Sequence, residues 1–218
     1  MTGRAPGRFP GFDVLSQVPH WDAATADVVT SRSELTPDRQ FFTDTERVCA
    51  AALFDHLTGQ CDDDLGVPVL EMVDARLAAG QTDGWRYADM PEDGQAWRDT
   101  LGYLDKDAHA RCGTSFADAP GPDRAAMIAA VQDGGNGQDG GKWHGLAAAR
   151  VWSLWTRYAC TAFYSHPYAW SEMGFPGPAY PRGYKNAGVG KLEPFEVRDA
   201  RPAEDPVGDA EDPVGDDA

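Results

Sequence analysis

Apolar side chains return every three or four positions over several stretches of this chain, the signature of helices buried on one side. The clearest case runs Trp97, Leu101, Leu104, Ala108, at steps of four, three and four. A broader stripe of Val151, Leu154, Trp155, Tyr158 and Ala162 lies within Leu146–Tyr164, which reads as the longest and most central helix. Val69, Leu70, Val73 and Leu77 predict a helix over Val67–Ala79, closed by Gly80. Met127, Ile128 and Val131 mark a shorter one over Asp123–Gln132. Thr43 with Glu46 three residues on forms a capping box, in which each side chain takes an otherwise orphaned backbone N–H. The helix it opens runs to Leu57, with Val48, Ala52, Leu53 and Leu57 near one face. Asp22–Thr30 suits a short helix. No stretch alternates convincingly with a period of two, so the fold class is all-α.

The remaining segments break this pattern in two ways. Residues 1–35 mix Pro, Gly and polar side chains with the apolar anchors Phe9, Phe12, Val14, Leu15 and Trp21, and read as an arm. The stretch HPYAWSEMGFPGPAYPRGY, residues 166–184, is rich in aromatics, glycine and proline and nearly uncharged. His166-Pro167 ends the preceding helix, because a residue before proline is pushed out of the helical region. Pro176, Pro178 and Pro181 exclude an ordinary helix beyond it. Linkers are usually polar, so this reads as a rigid, adhesive segment. Last comes EDPVGDA followed by EDPVGDD, a tandem acidic repeat whose composition predicts disorder. The expected organisation is an N-terminal arm over 1–35, a small irregular helical domain with extended Pro/Gly/aromatic arms over 36–195, and a disordered acidic tail over 196–218.

Charge and composition narrow the function. The net charge of −16 is unevenly placed, −7 of it falling within residues 196–218, and no basic stripe is present, so binding along a nucleic-acid backbone is not expected. The most apolar stretch, Gly145–Tyr164, is interrupted by Arg150 and Arg157, which argues against a membrane span. The opening MTGRAPGRFPGFDVL has no apolar core and no adjacent pair of arginines, so it does not read as a conventional export signal. That leaves a cytoplasmic protein or one co-exported with a signal-bearing partner. Cys49, Cys61, Cys112 and Cys160 are widely spaced without a CxxC pair and read as thiols, not as a disulfide framework.

Candidate chemistry is thin. Gly135–Gly140 matches GxGxxG in form, but the dinucleotide mechanism needs a strand before the glycines, and a predicted helix stands there. Gly141-Lys142 fails as a phosphate loop because Trp143 stands where Ser or Thr is required. His109 and Cys112 could offer two metal ligands from adjacent turns, with no evident third. Asp62-Asp63-Asp64 lacks the spacing of a calcium loop. Ser165 and His166, as chain neighbours, cannot form a nucleophile–base pair in the usual geometry. Trp97, Trp152 and Trp155 sit at helical spacing and read as core. What remains is the 166–184 segment, which composition reads equally in two ways. One is a surface-gripping arm, where aromatics give contact area at low entropic cost and prolines reduce the freedom lost on docking. The other is an arm folded back over its own helices to cap the core.

Three phrases resemble one family. FFTDTERVCAAALFDHL is similar to its opening helix, and VPVLEMVDARLAAGQTDGWRY to its second helix and following loop. ARVWSLWTRYACTAFYSHPYAWSEMGFPGPAYPRGY is similar to its closing helix and Pro/Gly/aromatic end. The family is the small subunit, subunit 3 or gamma, of gluconate 2-dehydrogenase and related sugar dehydrogenases, and the resemblance covers roughly residues 40–185. It implies a non-catalytic partner of a large glucose–methanol–choline-type flavoprotein. That flavoprotein would hold FAD and oxidise a sugar, sugar acid or polyol, with a haem-bearing cytochrome c subunit as an optional electron acceptor. The chain itself is then expected to hold no cofactor or metal. Many members carry a twin-arginine signal and this sequence shows none, and the repeat tail falls outside the family pattern.

The interface candidates are Phe163, Tyr164, Tyr168, Trp170, Phe175, Pro176, Tyr180 and Tyr184, with Trp85 and Tyr87 in second place. Two alternatives stand beside this reading: a stand-alone helical interaction module, and a metal-assisted enzyme using His109, Cys112 or His144.

Overall fold

The computed structural model describes residues 8–34, 41–60, 66–136, 141–186, 188 and 190–200. Cys61, the Asp62-Asp63-Asp64 run, Gly137–Gly140 and the acidic repeat lie outside them. The described residues form a single 3-10 helix and seven α-helices with one two-stranded hairpin, a mostly helical fold as the periodicity requires. The chain divides into two compact units, one spanning Ser31–His166, the other made of residues up to Thr30 with those from Pro167 onward. The boundaries drawn from composition, at 35 and 196, divide the chain by residue type and are a different kind of division from this packing of its two ends.

The larger unit contains five helices: α2 Asp44–Thr58, α3 Val69–Ala78, α4 Asp93–Cys112, α5 Gly121–Asn136 and α6 Ala148–Ser165. Helix α6 packs against α2, α3 and α5, so its place at the centre is as the broad stripe predicts. Val151, Leu154, Trp155, Tyr158 and Ala162 are all buried, as are Trp97, Leu101, Leu104 and Ala108 of α4. Trp97, fully enclosed, meets Phe42 and Tyr158 edge to face at 6.2 and 5.8 Å. Trp155 donates its indole N–H to Thr100 Oγ1 at 3.1 Å, which satisfies both buried polar groups. The α2 capping box is present, with the Thr43 N–H donated to Glu46 Oε2 at 2.8 Å.

Several expectations need correction. Helix α4, at 20 residues, is longer than α6 at 18, because it begins at Asp93, one turn before the apolar stripe that marks it, and runs on to Cys112. Helix α2 buries Cys49, Ala50, Leu53 and Phe54, while Val48 is 58 % exposed. Val48 shares a helix face with Asp44 and Asp55, four and seven residues away and both exposed, so that face turns to solvent. Helix α5 runs four residues past Gln132, to Asn136. Lys142–Trp143 pairs antiparallel with Leu146–Ala147. Its two-residue turn has His144 and Gly145 both at positive φ, the backbone of the tight hairpin turns that match strand twist. Two residues per strand are too few to display a period of two.

The smaller unit is built from both ends of the sequence. It holds the 3-10 helix Val14–His20, α1 Ala23–Ser31 (which crosses into the larger unit at its last residue) and α7 Pro167–Met173. Pro167 therefore ends α6 and also begins α7, where its missing N–H costs nothing and its fixed φ suits the first helical turn. Val14, Trp21, Val29 and Trp170 form the core, flanked by Phe12, Leu15, Val18 and Ala26. Ser171 Oγ accepts the Val14 N–H at 3.1 Å, tying α7 to the 3-10 helix. Residues beyond Met173 follow an irregular path fixed by close approach. A Cβ on Gly174 would lie 2.5 Å from the Phe9 ring, and one on Gly177 would lie 2.3 Å from the Trp21 ring. Both glycines have positive φ, so two constraints meet at each. Order continues past 196: Glu196 accepts the Glu193 N–H at 2.6 Å, Asp199 pairs with Arg8, and the Ala200 N–H reaches the Arg8 carbonyl at 2.8 Å.

Candidate functional site

The ten sequence-selected aromatic and proline residues fall into three groups by burial. Tyr164, Phe175, Tyr180, Tyr184 and Trp85 are exposed, with Tyr180 at 65 % and Tyr184 at 64 %. Phe163, Tyr168 and Tyr87 are half-buried. Trp170 and Pro176 are buried, and Trp170 belongs to the smaller unit's own core. Those two side chains hold the segment in place and leave the exposed rings to offer contact area.

In the smaller unit the exposed aromatics are carried on a constrained backbone. The Phe175 N–H is donated to the Trp170 carbonyl at 2.8 Å, and the two rings meet edge to face at 5.2 Å. The Gly183 N–H reaches the Ala179 carbonyl at 2.8 Å. Tyr184 packs against Phe195 at 6.0 Å between centroids. Glu193, only 5 % exposed, accepts the backbone N–H groups of Lys185 and Asn186 and holds that stretch of backbone against one carboxylate. Met173 and Leu192 add exposed apolar area to this unit.

In the larger unit the loop after α3 carries Trp85 and Tyr87, in edge-to-face contact at 5.2 Å. Each ring lies beneath a guanidinium from α6. Arg157 stands 4.7 Å from the Trp85 centroid and Arg150 stands 3.6 Å from that of Tyr87. These cations lie seven residues apart, so they share a helix face. Arg157 also faces Asp83 Oδ2 at 3.0 Å and Asp93 Oδ2 at 3.6 Å. Tyr158 donates its hydroxyl to Asp93 Oδ2 at 2.7 Å, while Arg76 pairs with Asp83 and lies 4.6 Å over the Tyr158 ring. Burial, and then the bond to Asp93, push the Tyr158 phenol far above its ordinary pKa, so it remains a donor. Beside this network a cleft of about 510 Å³ is lined by Leu77, Thr82, Trp85, Arg86, Glu92 and Gly94. Chemically it is a platform: a half-exposed indole held from one side by a paired cation. Sequence reasoning selected the two aromatics but missed the arginines, although Arg150 and Arg157 stand out as the charges interrupting the apolar run.

The candidates for chemistry are placed separately. His109 Nδ1 contacts the Asp105 carbonyl at 2.8 Å and its ring is on the surface. Burial, and then Asp123, raise the Cys112 thiol above its ordinary pKa, disfavouring thiolate. His144 stacks on Tyr103 at 4.5 Å and shares Asp107 with the Trp143 indole. Among the described residues no group of three or more His, Cys, Asp or Glu is arranged to hold a metal ion. Also among them, no helix is long and apolar enough to cross a membrane.

Comparison with known proteins gives one match. The family model described as gluconate 2-dehydrogenase subunit 3 covers residues 44–177, well over half of the chain. No curated protein and no solved structure matches.

Proposed function

The chain belongs to the gluconate 2-dehydrogenase subunit 3 family, and on that premise we propose that it is the non-catalytic small subunit that binds and stabilises or matures a larger catalytic subunit. The partner is a glucose–methanol–choline-type flavoprotein holding FAD and oxidising a sugar, sugar acid or polyol, with a haem-bearing cytochrome c as a further electron-transfer partner. The observation that carries this reading is the exposure of Phe175, Tyr180 and Tyr184 on a backbone clamped by rings against Gly174 and Gly177. Rigid aromatics lose little freedom on docking, so more of their contact energy appears as affinity. The Trp85–Tyr87 loop offers a second contact of the same chemistry, pre-positioned by Arg150 and Arg157.

Co-purification from the native host tests this reading. The tagged chain should bring down a larger yellow subunit in equal amount. Tyr180→Ser with Tyr184→Ser, at side chains largely in solvent, should leave the fold intact and reduce recovery of that subunit at least tenfold. A folded double variant that retains its partner in full would sink the interface assignment. A wild-type chain that emerges alone and colourless would sink the subunit reading itself.

A further inference from the structure

We propose that the smaller unit contains a carboxylate-binding site centred on Arg182, a side chain between Tyr180 and Tyr184 that the aromatic contact does not itself use. Arg182 donates Nη1–H to Gln17 Oε1 at 2.9 Å, and its guanidinium lies 3.9 Å over the Phe195 ring. The other edge of the fork, Nε and Nη2, is shielded from solvent and meets no acceptor among the described residues. Those two nitrogens form the pair that grips a carboxylate side-on with parallel hydrogen bonds. Native structures seldom leave a buried donor unmade, and such a donor usually marks a water, an ion or a ligand position.

The surroundings favour an anion. Arg182 lines a cleft of about 550 Å³ together with Gln17, His20, Lys185, Glu193 and Phe195. The Glu193 carboxylate does not neutralise this cleft's cations at close range. It is 5 % exposed and takes backbone N–H groups of Lys185 and Asn186 and the Asn186 amide. Lys185 makes no ion pair among the described residues, so two cations border a cavity with no carboxylate paired to either. Local positive charge of this kind is notable in a chain of net charge −16. Shielding strengthens any charge-assisted bond formed there, because the local dielectric is lower than that of water.

The carboxylate has two sources. One is a free small carboxylic acid. The other is this chain's own repeat, whose Glu204, Asp205, Asp209, Glu211 and Asp212 follow shortly after Ala200. Phe195 lines the cleft, and the five residues to Ala200 span at most about 18 Å at full extension. The nine residues from Ala200 to Asp209 span up to about 31 Å, so the repeat can return to the cleft. Linkage in one chain gives such a segment an effective concentration on the order of millimolar.

Calorimetric titration of the full chain with succinate, against sodium chloride at matched ionic strength, tests the site. If a free acid is the ligand, succinate binds the native chain saturably, and neutralising the repeat leaves its affinity unchanged. If the repeat fills the cleft, binding is weak in the native chain. It then tightens at least tenfold in the variant carrying Glu204→Gln, Asp205→Asn, Asp209→Asn, Glu211→Gln, Asp212→Asn, Asp216→Asn and Asp217→Asn. In either case Arg182→Gln should weaken binding at least tenfold and Lys185→Gln about threefold. Lys185→Gln leaves the Gln17 and Phe195 contacts of Arg182 in place, and so guards against misreading a folding defect. The proposal is overturned if neither the native nor the neutralised chain binds succinate above the chloride control. It is equally overturned if both cleft variants titrate as the parent does.

Discussion

The larger unit and the smaller one enclose their aromatic rings by different means. In the larger, Trp97, Trp155 and Tyr158 project from helices α4 and α6 into a space shared by other side chains, and each meets neighbours that are themselves side chains. In the smaller, the Phe9 and Trp21 rings lie directly on the backbone of Gly174 and Gly177. Side chains can adjust to a neighbour by changing rotamer, whereas a peptide backbone in a left-handed conformation has little room to yield. The helical unit therefore concentrates its vulnerability in polar groups that nothing else can satisfy, and the smaller unit concentrates it in glycines.

The largest effect expected in the helical unit is at Asp74, which has no exposed surface although it sits on the apolar face of α3. Its carboxylate accepts the N–H groups of Phe41 and Phe42 at 3.2 and 2.8 Å and faces Arg47 at 3.3 Å. Asp74→Ala leaves two backbone donors and part of a guanidinium without a partner, a loss of about 3–5 kcal/mol. Urea denaturation should show it, and a loss below about 1 kcal/mol would mean that the apolar stripes, not this carboxylate, hold the start of α2.

A matched pair of glycine substitutions draws the comparison more sharply. Gly177→Ala places a methyl group in the Trp21 ring at a positive φ, so overpacking and backbone strain add to about 2–4 kcal/mol of destabilisation. Gly102→Ala, in the middle of α4 with open space around it, should instead stabilise by about 0.5–1 kcal/mol. Thermal melts of both variants read the opposite signs. Two shifts in the same direction would break the distinction between the units. Thr43→Ala belongs next in size: it removes one half of the α2 capping box, at a cost of about 1 kcal/mol by chemical denaturation.

Legibility in the sequence follows the same division. The α4 and α6 stripes and the capping box are local patterns, and a period or a spacing of three is enough to place them. The α2 face is harder to place, because Val48 stands as an apolar residue on the exposed side with Asp44 and Asp55, opposite the buried Leu53. The pairings of Val14 with Ser171 and Arg8 with Asp199 are not local, being contacts across most of the chain length that no window can contain. The aromatic segment shows in composition, but Trp170 as core and Tyr180 as surface become distinct only once their neighbours are known. Arg182 carries no sequence signal, since its significance lies in the acceptor it lacks.

The smallest predicted effect concerns pH. His166 ends α6 in extended conformation and is 8 % exposed. Burial lowers its pKa below the ordinary value of 6.5, with the Arg32 charge acting in the same direction and a backbone hydrogen bond opposing them. The folded chain thus favours neutral imidazole, while the unfolded chain takes up a proton near pH 6.5. Below that value the unfolded state binds more protons, and stability must fall as pH falls. It is fully present above pH 6.5 and declines until the pH passes the depressed folded value. Carboxylates with lowered pKa, such as Glu46, lose their contribution only at more acid pH. Denaturation midpoints compared at pH 7.5 and 5.5 should therefore decrease in the native chain. The decrease should shrink in His166→Gln, which cannot take up the proton. An undiminished pH dependence in that variant would place the titrating group elsewhere.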